Sequence, residues 1–130
     1  MPRKVSRKNL IKKLDTIFSQ YIRLRNTKNG IAKCVTCGKK DHWKRMQAGH
    51  FIGRKHYATR WDAENVQVQC VACNVYRYGE QYKFGKWLDE NLGFGTTDEL
   101  YNKSLNIVKF TDDEIKNQID YYKYLVEELL

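Results

Sequence analysis

Leu10, Ile11, Leu14, Ile17, Phe18, Tyr21 and Ile22 recur at helical spacing and predict a helix over residues 6–26. Ser6 stands where a cap belongs, and Arg7, Lys8, Lys12, Lys13, Arg23 and Arg25 fill the other face. Asn29-Gly30 ends the segment with a turn signal. The pattern then shortens. Ile31 to Cys34 suits a short strand, residues 47–53 (QAGHFIG) read as a strand with His50 near its centre, and Val66-Gln67-Val68 alternates with a period of two. Between the last two, residues 54–60 read as a basic loop. Helical spacing returns after Asn74, through Tyr76, Tyr82, Phe84, Trp87, Leu88 and Leu92, and closes at Gly93; Gly79 and Gly85 interrupt it and predict a break near 79. Thr96-x-x-Glu99 and Thr111-x-x-Glu114 have the capping-box form, so two further helices are expected. The last carries Ile115, Ile119, Tyr122, Leu125, Val126 and Leu129 on one face, which suits either the chain's own core or a second copy.

Length and composition fit an α+β protein built as a small core with helical extensions. The expected divisions are a basic N-terminal helix at 1–30, a central core at 31–95 and a helical tail at 96–130. With 30% charged and 42% apolar residues, the chain reads as soluble and globular. No apolar run approaches the roughly 20 residues of a membrane span. The basic N-terminus lacks the apolar stretch of a signal peptide, which points to the cytoplasm. The net charge is +9 and unevenly placed: residues 1–60 hold 17 Lys and Arg against 2 acids, whereas residues 61–130 hold 7 against 13. Such a basic half points to a polyanion, nucleic acid first among them. Lys39, Lys40, Lys44, Arg45, Arg54, Lys55 and Arg60 are the candidate contacts; a merely solvated surface is the alternative.

The four cysteines form two C-x-x-C pairs, Cys34 with Cys37 and Cys70 with Cys73. In a reducing compartment this spacing predicts a four-thiolate zinc site, with disulfides or buried free thiols as alternatives. Four thiolates would leave no open position, so this zinc would be structural. The 32 residues between Cys37 and Cys70 exceed a simple zinc ribbon, and they contain His50 and Asn65. Asn74 follows the second pair directly. His42, among lysines, reads as a surface residue. Trp61 and Trp87 read as core; Trp43 suits either core or base stacking.

The string N-x-x-x-x-C-x-x-C-N-x-x-R, from Asn65 to Arg77, follows a Gly-His strand and resembles the signature of HNH endonucleases. Closer still, IRLRN, C-V-T-C-G-K, A-G-H-F-I-G-R-K-H, A-T-R-W-D-A-E-N-V and Q-C-V-A-C-N resemble the phage recombination nucleases called Rap or NinG, over about residues 17–95. The resemblance implies a ββα-metal core with zinc knuckles, flanked by helices. It also implies cleavage of branched recombination intermediates, such as Holliday junctions and D-loops, in a bacterial host cell. In that reading His50 is the general base, Asn65 fixes the loop and orients His50, Asn74 is the best ligand of a catalytic Mg²⁺ or Mn²⁺ that His50 and Asn74 frame together, and Arg77 holds a phosphate oxygen. One departure stands out. Many HNH sites have an Asp before the histidine as a second metal ligand, where this chain has Gly49; His56, Asp62 or Glu64 would then complete the ion, His56 first. A symmetric junction cutter also implies a homodimer. The competing expectations are another HNH nuclease of restriction, homing or packaging type, a non-catalytic zinc-finger DNA-binding module, and a protein-binding scaffold.

Overall fold

The computed structural model describes residues 5–130. The start of the predicted 1–30 segment therefore lies outside the described residues. Helix α1 spans Arg7–Leu24, and the Ser6 side chain accepts from Asn9 N–H at 3.2 Å, as the capping residue should. Leu10, Leu14, Phe18 and Ile22 are buried along its inner stripe. Asn29 and Gly30 both take positive φ, and Lys28 and Ile31 exchange backbone hydrogen bonds across them. This is the Asn-Gly hairpin turn that the dipeptide favours.

Two antiparallel strand pairs follow. Strand β1 (Ile31–Lys33) pairs with β2 (Lys40–His42), and the first knuckle forms their turn. Strand β3 (Gln47–His50) pairs with β4 (Val66–Gln69), with His50 opposite Val66. Strand β2 had no sequence signal, because Lys40-Asp41-His42 has no apolar alternation. All four β4 residues are buried, so its alternation does not mark one wet face. Residues 54–60 are not wholly a loop: Tyr57–Arg60 form one helical turn, α2.

After β4 the chain makes a wide π-helical turn at Ala72–Tyr76 and breaks at Tyr78, Gly79 and Glu80, all left-handed, before α3 (Gln81–Leu92). The break falls where Gly79 placed it. Helix α4 spans Thr96–Ser104 and α5 spans Asp112–Leu129. The Thr111–Glu114 capping box forms in full. The Thr96–Glu99 box does not. Thr96 is already inside the helix, the left-handed Gly95 precedes it, and Asp89 of α3 takes the N-terminal N–H of Thr97 at 2.9 Å instead.

The apolar face of α5 closes the chain's own core. Ile115, Tyr122 and Val126 are buried, and Phe18 meets Tyr122 edge-on at 4.9 Å between ring centres. Arg7 pairs with Asp112 at 2.9 Å, so α1 and α5 run in the same direction. Helices α1 and α5 thus share one packing unit, which also holds Trp61 and Val66. A second cluster joins Ala32, Met46 and Val68 to the cysteines, and a third joins Phe84, Leu88 and Leu100, with Trp87 against it. Trp43 is half-buried, with Arg23 and Lys44 over its ring.

Ile115 is fully buried between these helices. Ile115→Ala should cost about 2–5 kcal/mol, read by urea unfolding. If α5 were free to pair with a second copy instead, the loss would depend on protein concentration.

Candidate functional site

Cys34 and Cys37 sit at the β1–β2 turn, and Cys70 and Cys73 at the end of β4. Gly38 takes φ +80°, which lets the first knuckle fold back and its N–H reach the Cys34 carbonyl at 2.9 Å. The four sulfurs lie within 4.8 Å of one another, and Cys37 Sγ is 3.6 Å from Cys70 Sγ. A tetrahedron with zinc–sulfur bonds of about 2.3 Å has sulfurs about 3.8 Å apart, so the arrangement fits zinc. Burial opposes a Cys34 thiolate, yet the Thr36 hydroxyl and nearby backbone N–H groups draw it down to about 6; burial pushes Cys73 up. The cluster as four thiolates would carry a charge that a divalent cation offsets. Among the described residues it is the one group of three or more His, Cys, Asp or Glu side chains placed to hold a metal.

Beside it lies a pocket of about 560 Å³ between α1 and β3, lined by Asp15, Ser19, Arg23, Gln47, His50, Arg54 and Asn74 among others. His50 and Asn74 both line it. Burial pushes the His50 imidazole below its ordinary value, while the Arg60 carbonyl acts the other way. His50 Nε2 lies 3.0 Å from that carbonyl. Asn74 Nδ2 donates to Gln47 Oε1 at 2.7 Å, and its backbone N–H to the Cys70 carbonyl at 2.9 Å.

Asn65 is fully buried. It accepts from Ile52 N–H at 2.8 Å and donates to the Ile52 and Thr59 carbonyls, each at 3.0 Å. It fixes the 51–65 loop as expected, but the group bonded to His50 is the Arg60 carbonyl. Arg77 does not line the pocket; its Nη1 faces Cys73 Sγ at 3.8 Å, so its charge faces the cysteine cluster. His56 lies in a separate groove against residues 104–108, with Lys55 and Tyr57, and the pocket gains no ligand from it. Asp62 and Glu64 are likewise absent from the pocket lining; Asp62 pairs with Lys103 at 2.6 Å.

The candidate polyanion contacts divide. Lys39, Lys40, Lys44, Arg45, Arg54 and Lys55 are exposed, Arg45 in a pair with Asp41. Arg60 is not a free surface cation: its side chain is 14% exposed and forks onto Asp15, with Nε 3.1 Å from Oδ1 and Nη2 2.5 Å from Oδ2. Arg60 Nη1 also donates to the Arg54 carbonyl at 3.0 Å, and Trp61 Nε1 to Asp15 Oδ1 at 2.9 Å. Sequence reasoning passed over Asp15. The available signal was an acid in line with Ile11, Phe18 and Ile22 of a basic helix.

Gly49 has a packing reason. A Cβ there would lie 1.8 Å from Gln69 Oε1. Gln69 is fully buried, and its Nε2 donates to Thr36 Oγ1 and the Gly79 carbonyl at 3.1 and 2.9 Å. A side chain at 49 points at Gln69, away from the face that carries His50, so an Asp there meets packed protein.

Two outcomes follow from these contacts. Gly49→Ala should destabilise by roughly 1–3 kcal/mol in urea unfolding, and by clearly less when Gln69 is also Ala. Equal costs in both backgrounds would show that the Gln69 contact is not the cause. The purified protein should carry zinc, Cys73→Ser should lose it, and uptake by the apo-protein should weaken as pH falls, because protons compete for the thiolates. Metal analysis and titration at several pH values read both.

No curated protein and no solved structure matches the chain. The family described as Bacteriophage Lambda NinG protein matches over residues 3–130, nearly the whole length. The helical tail, where the sequence motifs are sparse, is part of that match, and the chain belongs to the NinG family of bacteriophage proteins.

Proposed function

We propose that the pocket between α1 and β3 is the active site of a metal-dependent DNA endonuclease of HNH type, acting on branched recombination intermediates. The observation that carries this reading is that His50 and Asn74 line one pocket, the first on β3 and the second directly after the last cysteine. An antiparallel strand pair leading through a turn into a helix is the order expected of a ββα-metal unit. Arg23 and Arg54 line the pocket, and two cations there suit a phosphate backbone.

His50 supplies the base. A carbonyl oxygen accepts and cannot donate, so Nε2 carries the hydrogen toward Arg60 and Nδ1 keeps its lone pair. Burial keeps the ring neutral at physiological pH. Nδ1 takes a proton from water as the water oxygen bonds to phosphorus. The bond from phosphorus to the 3′ oxygen breaks, and that oxygen takes a proton from solvent. The products carry a 5′ phosphate and a 3′ hydroxyl. Asn74, held through Gln47, would hold a divalent ion by its amide oxygen, and the Ser19 hydroxyl lines the same pocket. The Asp15 oxygens are occupied by Arg60 and Trp61. Such a sparse oxygen set suits Mg²⁺ or Mn²⁺ that keeps much of its water. When bound, the ion neutralises charge on the phosphate and the departing oxygen.

His50→Ala should lower cleavage of a four-way junction in Mg²⁺ by roughly 10²–10⁴-fold, with zinc content and DNA affinity kept. Intact cleavage would remove His50 as the base. Equal rates on junctions, flaps and linear duplex would remove the preference for branched DNA. DNA binding with no cleavage by the unaltered protein would favour a binding module.

A further inference from the structure

We propose that Asp15 and Arg60 are positioning residues that fix which ring nitrogen of His50 carries the hydrogen, which makes the N-terminal helix a working part of the site. The catalytic consequence rests on the nuclease reading; the geometric claim does not.

The orientation of His50 is set by a backbone oxygen, that of Arg60, 3.0 Å from Nε2. That oxygen is only as fixed as the segment that carries it. Helix α2 is four residues long, too short to hold itself. Its C-terminal end is held from outside. Asp15 receives two guanidinium nitrogens of Arg60 and the indole N–H of Trp61, so consecutive side chains seat on one carboxylate. A third guanidinium nitrogen holds the Arg54 carbonyl and ties down the loop on the pocket's other side. Asp15 in turn rides on a helix anchored by Leu14 and Phe18, which are 0% and 1% exposed.

A plain stabilising pair would serve the fold without reaching the imidazole. Here the chain of contacts runs from carboxylate to guanidinium, along one residue to its own carbonyl, and from there to the ring. A bidentate fork constrains orientation as well as distance. Releasing it frees the Arg60 carbonyl, and with it the preference for hydrogen on Nε2. Among the described residues, no hydrogen bond to His50 Nδ1 opposes the swap.

The test uses the zinc-loaded full chain, labelled with ¹⁵N, at mildly alkaline pH where the ring is neutral. Long-range proton–nitrogen spectra report the tautomer of His50, assigned by its loss in His50→Ala. The unaltered protein should show Nε2–H alone. Asp15→Asn should show a mixture of tautomers, with zinc content kept. On a junction substrate kcat should fall about 10- to 100-fold with KM within about twofold, because the base is misplaced and DNA contacts are not. Arg60→Lys, which keeps charge but loses the fork, should behave alike, and it carries the test if Asp15→Asn fails to fold. A His50 spectrum unchanged in a folded variant overturns the proposal. If the unaltered protein cuts no DNA, the nuclease reading falls, and the spectrum alone decides whether the clamp exists.

Discussion

Four sulfur atoms within 4.8 Å of one another decide where both halves of the pocket lie. Cys70 directly follows β4, and Cys73 lies in the turn that delivers Asn74. Strand β3, which carries His50, pairs with β4 along its whole length. The first knuckle is tied to the same strand, since Val35 N–H donates to the Val68 carbonyl at 3.0 Å. A short two-strand ribbon is marginal in water without such a closure. Four thiolates at one point would repel one another without a cation among them, so zinc binding would couple fold and metal at the place on which the pocket depends.

The sulfur cluster fixes one wall of the pocket and α1 supplies the other. Arg25, near the end of α1, donates to the carbonyls of Ala63 and Val66 and to Gln67 Oε1, each at 2.9 Å, and pins the helix to the entry of β4. Helix α5 packs on α1 in the same cluster that holds Trp61 and Val66. The tail therefore bears on the site through packing: it holds α1, and α1 holds Asp15 against the segment whose carbonyl meets His50.

Much of this was legible in the chain. The α1 stripe, its Ser6 cap, the Asn-Gly turn, both knuckles, the break at Gly79 and the final capping box are local signals, each set by residues within a turn or two of one another. What was not legible depended on distant partners. Arg60 reads as one more cation in a basic loop until Asp15, 45 positions away, draws it inward. Arg77 sits at helical spacing from Asn74, but the wide π turn and the cysteine sulfur redirect it. Thr96 has the form of a cap, yet the left-handed Gly95 and Asp89 take over that work.

Gly49 shows why such a residue resists reading from a motif. Judged by the motif, it is a ligand place left empty. In the fold its lack of a side chain makes room for Gln69, whose amide nitrogen bridges Thr36 of the first knuckle and the Gly79 carbonyl of the break after the second. The glycine therefore serves the joint between the two knuckles. Even an Asp at this position would meet Gln69 and not the pocket, so in the proposed nuclease a divalent ion would rest on Asn74, water and the phosphates of a substrate. On that proposal an ion held in this way would arrive with its substrate, and metal occupancy would be coupled to the presence of DNA.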